Sequence, residues 1–138
     1  MKIAIRYFTR SKKGNTVKLA KAVSEASNVE ALTVENDLNE ETEILFLVNA
    51  MYAFTIDNEV KAFLERNASK IKCLVNVNSA ASGSSTLKSV KKVADKLNIP
   101  VSDKEYHTVA SWLALNKNRP NEADLNRLKD FVKGVIEQ

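Results

Sequence analysis

Apolar residues along this chain alternate between short runs of strand length and longer segments with helical spacing. Ile3 to Phe8 is a short, mostly apolar run rich in β-branched and aromatic residues, which predicts a strand. After a polar loop from Thr9 to Thr16, apolar residues recur at helical spacing from Val17 onward. The chain is therefore predicted to open with a strand, a hydroxyl-rich loop and the N-terminus of a helix.

The same two patterns repeat along the rest of the chain. Four further strands are predicted, at Glu30 to Val34, Ile44 to Val48, Cys73 to Val77 and Lys104 to Val109. Three further helices are predicted, one capped by Asp57, one spanning Leu87 to Leu97 and ended by Asn98, and one capped by Asn121. The acidic connection between the second and third strands shows no clear helical pattern. Strands that alternate with helices in this way predict an open parallel α/β sheet.

Ligands of open parallel sheets bind beyond the C-terminal ends of the strands, at the topological switch point. The loops Thr9–Thr16, Asn49–Asp57, Asn78–Ser85 and Tyr106–Pro120 are therefore expected to converge at one edge of the sheet. In the first of these loops, backbone N–H groups and the helix dipole favour an anion.

Composition narrows the class of protein. A length of 138 residues predicts one domain, and no apolar run approaches the length of a membrane span or of a signal peptide. The single cysteine, Cys73, is expected to be an inert thiol buried within a strand, which fits the cytoplasm. The net charge of +4 comes with lysines that are spread along helices, without RNP, KH or zinc patterns, so it predicts a solvated basic surface and no nucleic-acid binding.

This chain lacks a chemical group that each of three α/β enzyme classes requires. A phosphate-accepting receiver domain needs carboxylates after the first strand and an aspartate after the third, where this chain has Thr9-Arg10 and Asn49. A low-molecular-weight tyrosine phosphatase needs a cysteine nucleophile in its first loop, and the first loop of this chain contains no cysteine. A Walker A loop needs a glycine-rich pattern that ends in Gly-Lys-Ser/Thr, and Gly14-Asn15-Thr16 does not match it.

The first loop instead resembles the flavodoxin phosphate loop, through Tyr7–Ser11 followed by Gly14–Ala20. Met51–Leu64 is similar to the segment after the third strand of short flavodoxin-like proteins, and Asn118–Leu125 to the start of their last helix. The resemblance implies a single flavodoxin-like domain over residues 1–138, with a parallel sheet of strand order 2-1-3-4-5, helices on both faces, and FMN as the cofactor.

The resemblance also implies which residues contact FMN; no catalytic or metal-binding residue is expected. In the phosphate loop they are Thr9, Arg10, Ser11, Lys12, Gly14, Asn15 and Thr16. In the loop after the third strand they are Asn49, Ala50, Met51, Tyr52, Ala53 and Phe54, and after the fourth strand Ser79, Ala80, Ala81, Ser82 and Gly83. Trp112, after the last strand, is a further candidate for contact with the flavin ring, although a lone tryptophan is more often a core or loop anchor.

The chain departs from the family pattern in three ways. Lys12-Lys13 lengthens the phosphate loop by two residues, and the chain contains only three glycines. Asn49 and Asn78 are therefore candidates for the left-handed backbone that glycine supplies beside the flavin in the family. The sequence pI of about 9.2 contrasts with the acidic character of most flavodoxins.

The function implied is that of an FMN-binding electron carrier rather than an enzyme. An FMN-dependent reductase of quinone-type substrates is one alternative, and a flavodoxin-fold interaction module that has lost its flavin is another. The expected partners are redox proteins, which would present acidic faces to the basic surface; no nucleic acid or membrane partner is expected.

Overall fold

A computed structural model describes residues 1–10, 14–51, 56–111 and 118–137. The strands are β1 (Ile3–Tyr7), β2 (Ala31–Thr33), β3 (Ile44–Ala50), β4 (Leu74–Ala80) and β5 (Tyr106–Val109). The helices are α1 (Asn15–Ser27), α2 (Asn58–Asn67), α3 (Leu87–Leu97) and α4 (Glu122–Ile136), with a short 3₁₀ turn, Ala68–Lys70, after α2.

The five strands form one parallel sheet in the order β2-β1-β3-β4-β5. This order confirms the predicted fold class. It places the switch point between β1 and β3, because the chain leaves β1 toward β2 on one side and later returns to β3 on the other.

Helices cover both faces of the sheet and divide the core in two. One half packs Ile5, Phe46 and Val77 of the strands against α1 and α4. The other half packs Leu45 and Leu74 against α2 and α3. The central strand β3 is apolar on both faces because both are covered, as its run of five apolar residues predicts.

The observed strand bounds differ from the predicted ones at the edge where the loops converge. Strand β3 continues to Ala50 and β4 to Ala80, so Asn49, Asn78 and Ser79 lie in strands and not in loops. Both asparagines are buried, and the only non-glycine residues with positive φ in the described parts of the chain are Asn28, Asn98 and Asn118. The left-handed assignment of Asn49 and Asn78 is therefore wrong: a buried strand position holds the backbone extended.

The remaining observed bounds of strands and helices differ less from the predicted ones. Helix α1 begins at Asn15, two residues before the predicted Val17, and β2 and β5 are shorter than predicted. Cys73 precedes β4 and is only half-buried, so its placement inside a strand is wrong. Burial nonetheless raises the pKa of its thiol.

The predicted caps are confirmed. The Asp57 side chain accepts a hydrogen bond from the Glu59 N–H at the start of α2. Asn121 and Asp124 form a reciprocal capping box at the start of α4. Asn98 ends α3 in the left-handed conformation that favours asparagine over most other residues.

The connection between β2 and β3 contains no helix in the structure and is held by polar side chains. The buried Arg6 guanidinium donates to the carbonyl oxygens of Asn36 (2.7 Å), Asp37 (3.2 Å) and Ile5 (3.0 Å). Burial lowers the pKa of Arg6, while Asp37 opposes that shift. Arg66 of α2 pairs with Asp37 at 2.9 Å.

Among the described residues, no helix is long and apolar enough to cross a membrane.

Candidate functional site

The start of α1 lies at the C-terminal edge of the sheet, directly after β1. Its N-cap residue is Gly14, with φ −77° and ψ 173°, and glycine has no side chain with which to accept the first helical N–H groups. The first turn contains no acidic residue, whereas α2 and α4 both carry acids there. This helix end therefore presents backbone donors and a positive dipole, a combination suited to an anion.

The two residues after Gly14 differ in their surroundings. Asn15 Nδ2 donates to the carbonyl oxygen and to the hydroxyl of Ser111, both at 3.2 Å, which ties the start of α1 to the segment after β5. Thr16 is only 3% exposed. Both of these predicted phosphate-loop residues thus lie at the helix end, while the Asn15 amide holds a neighbouring segment.

Arg10 links the segment after β1 to the start of α2. Its Nε and Nη2 atoms lie 3.1 Å and 2.7 Å from Asp57 Oδ2, a pair that spans the switch point. Burial pushes the pKa of Asp57 upward, but the Glu59 N–H and the Arg10 guanidinium together outweigh it and lower that pKa. The positive charge of Arg10 is therefore partly neutralised by the Asp57 carboxylate.

The predicted ring-binding segments meet at the ends of β3 and β4. The Met51 N–H donates to the Ser79 carbonyl at 3.2 Å, and the Ala110 N–H donates to the Ala80 carbonyl at 2.9 Å. Ala81 and Ser82 are exposed at the tip of a turn. Gly83 closes that turn with φ +78°, its N–H donating to Ala80 at 2.9 Å.

Thus the structure brings most of the predicted site residues to one edge: Thr9, Arg10, Gly14, Asn15, Thr16, Asn49, Ala50, Met51, Ser79, Ala80, Ala81, Ser82 and Gly83. Ser11, Lys12, Tyr52, Ala53, Phe54 and Trp112 lie outside the described residues. Asn49 and Ser79 lie within β3 and β4, and each is only 1% exposed. Their side chains therefore support this edge from behind and do not form its surface.

A ring of buried polar side chains stands directly behind this edge. Asn49 Nδ2 donates to Asn76 Oδ1 (2.8 Å), Asn76 Nδ2 donates to Thr86 Oγ1 (2.9 Å), and the Thr86 hydroxyl donates to Asn49 Oδ1 (2.7 Å). Asn78 extends the ring by accepting from the Thr86 N–H at 3.0 Å and donating to the Ser84 carbonyl at 2.9 Å. These bonds fix the ends of β3 and β4 relative to the start of α3.

Sequence reasoning missed Asn76 and Thr86, and it missed Ser111. The sequence does contain a signal for Asn76. Asn76 and Asn78 alternate within an apolar strand, so both amides face the same side of the sheet and must find hydrogen-bond partners there. No local signal identifies Ser111, because its partner Asn15 lies at the other end of the chain.

The side chains of His107 and Glu105 each contact a residue of the segment between β4 and α3. His107 is exposed, and its Nδ1 lies 2.7 Å from the Gly83 carbonyl. Ser85 donates a short hydrogen bond to Glu105. Among the described residues, no group of three or more His, Cys, Asp or Glu side chains is arranged to hold a metal ion.

A cleft of about 180 Å³ lies elsewhere, beside the start of β1 and the edge strand β2. Lys2, Arg6, Glu30 and Glu40 line it, so its walls carry charges of both signs. It is separate from the edge where the loops meet, and the Arg6 donors facing it are bonded to backbone carbonyls. The anion-binding chemistry therefore points to the start of α1 and not to this cleft.

Comparison with known proteins rests on structure. No protein-family model matches the chain, and no curated protein matches it. A flavodoxin from the domain Archaea superposes with a TM-score of 0.75 at 16% identity, over 99% of this chain and 97% of that one. Oxidised flavodoxin 1 from Bacillus cereus superposes with a TM-score of 0.68 at 11% identity, over 99% and 97% of the two chains.

An enzyme is also similar in structure. The NAD(P)H:quinone oxidoreductase from Methanothermobacter marburgensis gives a TM-score of 0.62 at 11% identity, over 96% of this chain and 98% of that chain. With the strand order and the site geometry, these superpositions show that this chain has the flavodoxin-like fold.

Proposed function

We propose that this protein binds FMN at the C-terminal edge of its sheet and serves as an electron carrier. The observation that carries the proposal is the start of α1, a helix N-terminus beside the switch point whose first turn has no acid and whose N-cap has no side chain. The structural similarity to flavodoxins supports the same proposal.

The residues present fit the phosphate of FMN. The N–H groups of Asn15 and Thr16 begin the helix beyond Gly14, and they would donate to phosphate oxygens. Hydrogen bonds to a charged group contribute roughly 1.5–3 kcal/mol each. The absence of acids from the first turn, Asn15 to Lys18, leaves that attraction unopposed within the helix.

The flavin ring would lie against the segments that end β3 and β4. Met51 on one side, and Ala81, Ser82 and Gly83 on the other, would contact it. The buried Asn49–Asn76–Thr86 ring keeps those segments in place, so little ordering would accompany binding. Bound flavin supplies the redox chemistry; the protein supplies binding, orientation and electrostatics.

The first test measures the affinity of the purified protein for FMN and for riboflavin by flavin fluorescence. Because riboflavin lacks the phosphate, we expect FMN to bind at least about tenfold more tightly, a difference of about 1.4 kcal/mol. Equal affinities would contradict a phosphate site at α1. Absence of binding by both would favour an interaction module without flavin.

A variant sharpens the test without harming the helix. Gly14→Asp places a carboxylate at the N-cap, where the backbone is extended and aspartate stabilises a helix. We expect it to weaken FMN binding while leaving riboflavin binding and thermal stability intact. Gly14→Asn is the matched neutral control, and an equal loss of FMN affinity in both variants would assign the effect to steric hindrance and not to charge.

Turnover separates the carrier from the reductase. A carrier should not oxidise NADH or NADPH in the presence of a soluble quinone, so sustained oxidation of either nucleotide would favour the reductase.

A further inference from the structure

Among the four helices, α3 carries the largest net positive charge. Helix α3 carries four lysines and one aspartate, a net +3, in a chain whose overall net charge is +4. Helix α1 carries two lysines and one glutamate, α2 two acids and two bases, and α4 three of each. The lysines thus occur on several helices, as the sequence indicates, but α3 carries more of them than any other helix.

Three of the α3 lysines form a ridge, which we call the lysine ridge: Lys88, Lys92 and Lys96. They are four residues apart, so they lie along one face of the helix over about 12 Å. All three are exposed, and no ion pair involves them within the part of the chain that the structure describes. The fourth lysine, Lys91, is instead paired with Asp103 at 2.7 Å.

The first half of this ridge is unfavourable for the helix itself. Like charges four residues apart destabilise a helix by roughly 0.2–0.5 kcal/mol per pair. Lys88 lies in the first turn, where the helix dipole favours acids, and that turn contains none. Lys88 and Lys92 therefore do not stabilise α3, whereas Lys96 does, because it lies in the last turn.

The ridge also begins at the candidate site. Helix α3 starts at Thr86–Leu87, immediately after the turn formed by Ala81, Ser82 and Gly83, so Lys88 is the end of the ridge nearest that turn. The positive end of the α3 dipole points to the same edge of the sheet. A partner held on the ridge would be held beside that edge.

We propose that the lysine ridge is the docking surface for an acidic face of a partner protein. That this partner exchanges electrons at the adjacent edge rests on the proposed function; docking itself does not. A protein face is favoured over nucleic acid because acids interrupt the charge near the ridge, at Asp95, Asp103 and Glu105, and because α3 contains no aromatic residue on which a base could stack.

The test uses the full chain and a peptide composed of glutamate residues as the probe. Binding is followed by calorimetry and by amide chemical shifts at low ionic strength, about 0.01 M, where screening extends to about 30 Å. We expect shifts centred on α3 and a loss of at least about tenfold in affinity at about 0.2 M salt.

A charge-matched pair of variants localises the effect. Lys88→Glu/Lys92→Glu should raise the Kd for the peptide at least about fivefold, without loss of thermal stability, because it adds an acid to the first turn. Lys21→Glu/Lys133→Glu changes the net charge equally from exposed positions on α1 and α4, which cover the opposite face, and should change Kd less than about twofold. Equal losses in the two variants would overturn the proposal.

Two competing probes decide the class of partner. Tighter binding to an oligothymidylate or to phosphatidylserine vesicles than to the glutamate peptide, with the same α3 shifts, would overturn the protein assignment. Because the measurement needs no flavin, a failure here is distinct from a failure to bind FMN. Repetition with FMN added shows whether the two sites are independent.

Discussion

Gly83 is the residue whose backbone shapes the turn at the end of β4. Its φ is +78°, and a Cβ added there would lie 3.2 Å from Val109 Cγ2. Both a left-handed backbone and a close neighbour therefore favour glycine at this position. Gly134, in α4, has neither constraint, since an added Cβ would meet no atom within 4 Å.

The two glycines should respond to alanine with opposite signs. Gly83→Ala should lower the free energy of unfolding by about 1–2 kcal/mol, because the left-handed conformation is strained for alanine. Gly134→Ala should raise it by about 0.5–1 kcal/mol, because glycine is a poor helix residue. Urea unfolding of both variants checks the pair, and a stabilising Gly83→Ala would show that the turn adopts another backbone conformation.

Thr86 is the residue that closes the buried polar ring. Its hydroxyl both accepts from Asn76 and donates to Asn49, and all three side chains are at most 1% exposed. Removing it would leave two buried polar groups without their partner, and such groups are costly because water cannot reach them.

Thr86→Val should therefore lower the free energy of unfolding by about 2–3 kcal/mol. Thr86→Ser keeps the hydroxyl and should cost less than about 1.5 kcal/mol. Thr108→Val is the matched control, because Thr108 is buried in β5 and its side chain makes no hydrogen bond among the described residues. Urea unfolding measures all three, and equal effects of the two valine substitutions would rule out a special role for the ring.

At the scale of elements, the start of α4 combines a cap with an ion pair. The Asp124 carboxylate is fully buried and accepts from Arg119 (2.6 and 2.9 Å), from Arg127 (2.5 Å) and from the Asn121 N–H (2.8 Å). Burial pushes the pKa of Asp124 upward, but the hydrogen bonds from Arg119 and Asn121 and the nearby charges outweigh it and lower that pKa.

This lowered pKa predicts the direction of a pH dependence. The ionised carboxylate stabilises the fold at pH values above its unfolded pKa of about 3.9, and that stability is lost as the pH falls through the lower folded pKa. Asp124→Asn should cost about 1.5–3 kcal/mol at neutral pH, because it removes the charged acceptor of the hydrogen bonds from Arg119 and Arg127. It should also reduce the loss of stability toward pH 3.

Urea unfolding at several pH values from neutral to acid checks this prediction. Asp103→Asn is the control, because the Asp103 side chain is 93% exposed and its pair with Lys91 is screened by solvent. If the wild-type protein and Asp124→Asn lost the same stability between neutral pH and pH 3, Asp124 would not contribute to the acid limb.

At the scale of the whole molecule, the described residues that follow β1, β3, β4 and β5 lie at one edge of the sheet. A ligand that contacts several of them binds the folded chain and not the unfolded one, so binding and stability are linked. Free FMN at about one hundred times its Kd should raise the free energy of unfolding by about 2.7 kcal/mol. The melting temperature measures this rise; Gly14→Asp should show a smaller one at the same FMN concentration, and an unchanged melting temperature of the wild-type protein would contradict FMN binding.

Prediction from sequence succeeded where the signal is local. The periodicity around Leu87 to Leu97 and the caps at Asp57 and Asn121 depend on residues within one or two turns of the chain, and the structure confirms each of them. It failed at the ends of β3 and β4, where the sequence pattern assigns Asn49 and Asn78 to polar loops because each follows an apolar run, whereas both amides are hydrogen-bonded within the buried ring.

By itself, the sequence determined the order of strands and helices and the open, acid-free start of α1, because hydrophobic periodicity and capping act over a few residues. Only the tertiary structure decided that Asn15 bonds Ser111, 96 residues away, that Arg10 pairs with Asp57, 47 residues away, and that the asparagines of two strands share one buried ring. These contacts depend on which strands are neighbours in the sheet, and no local pattern records that.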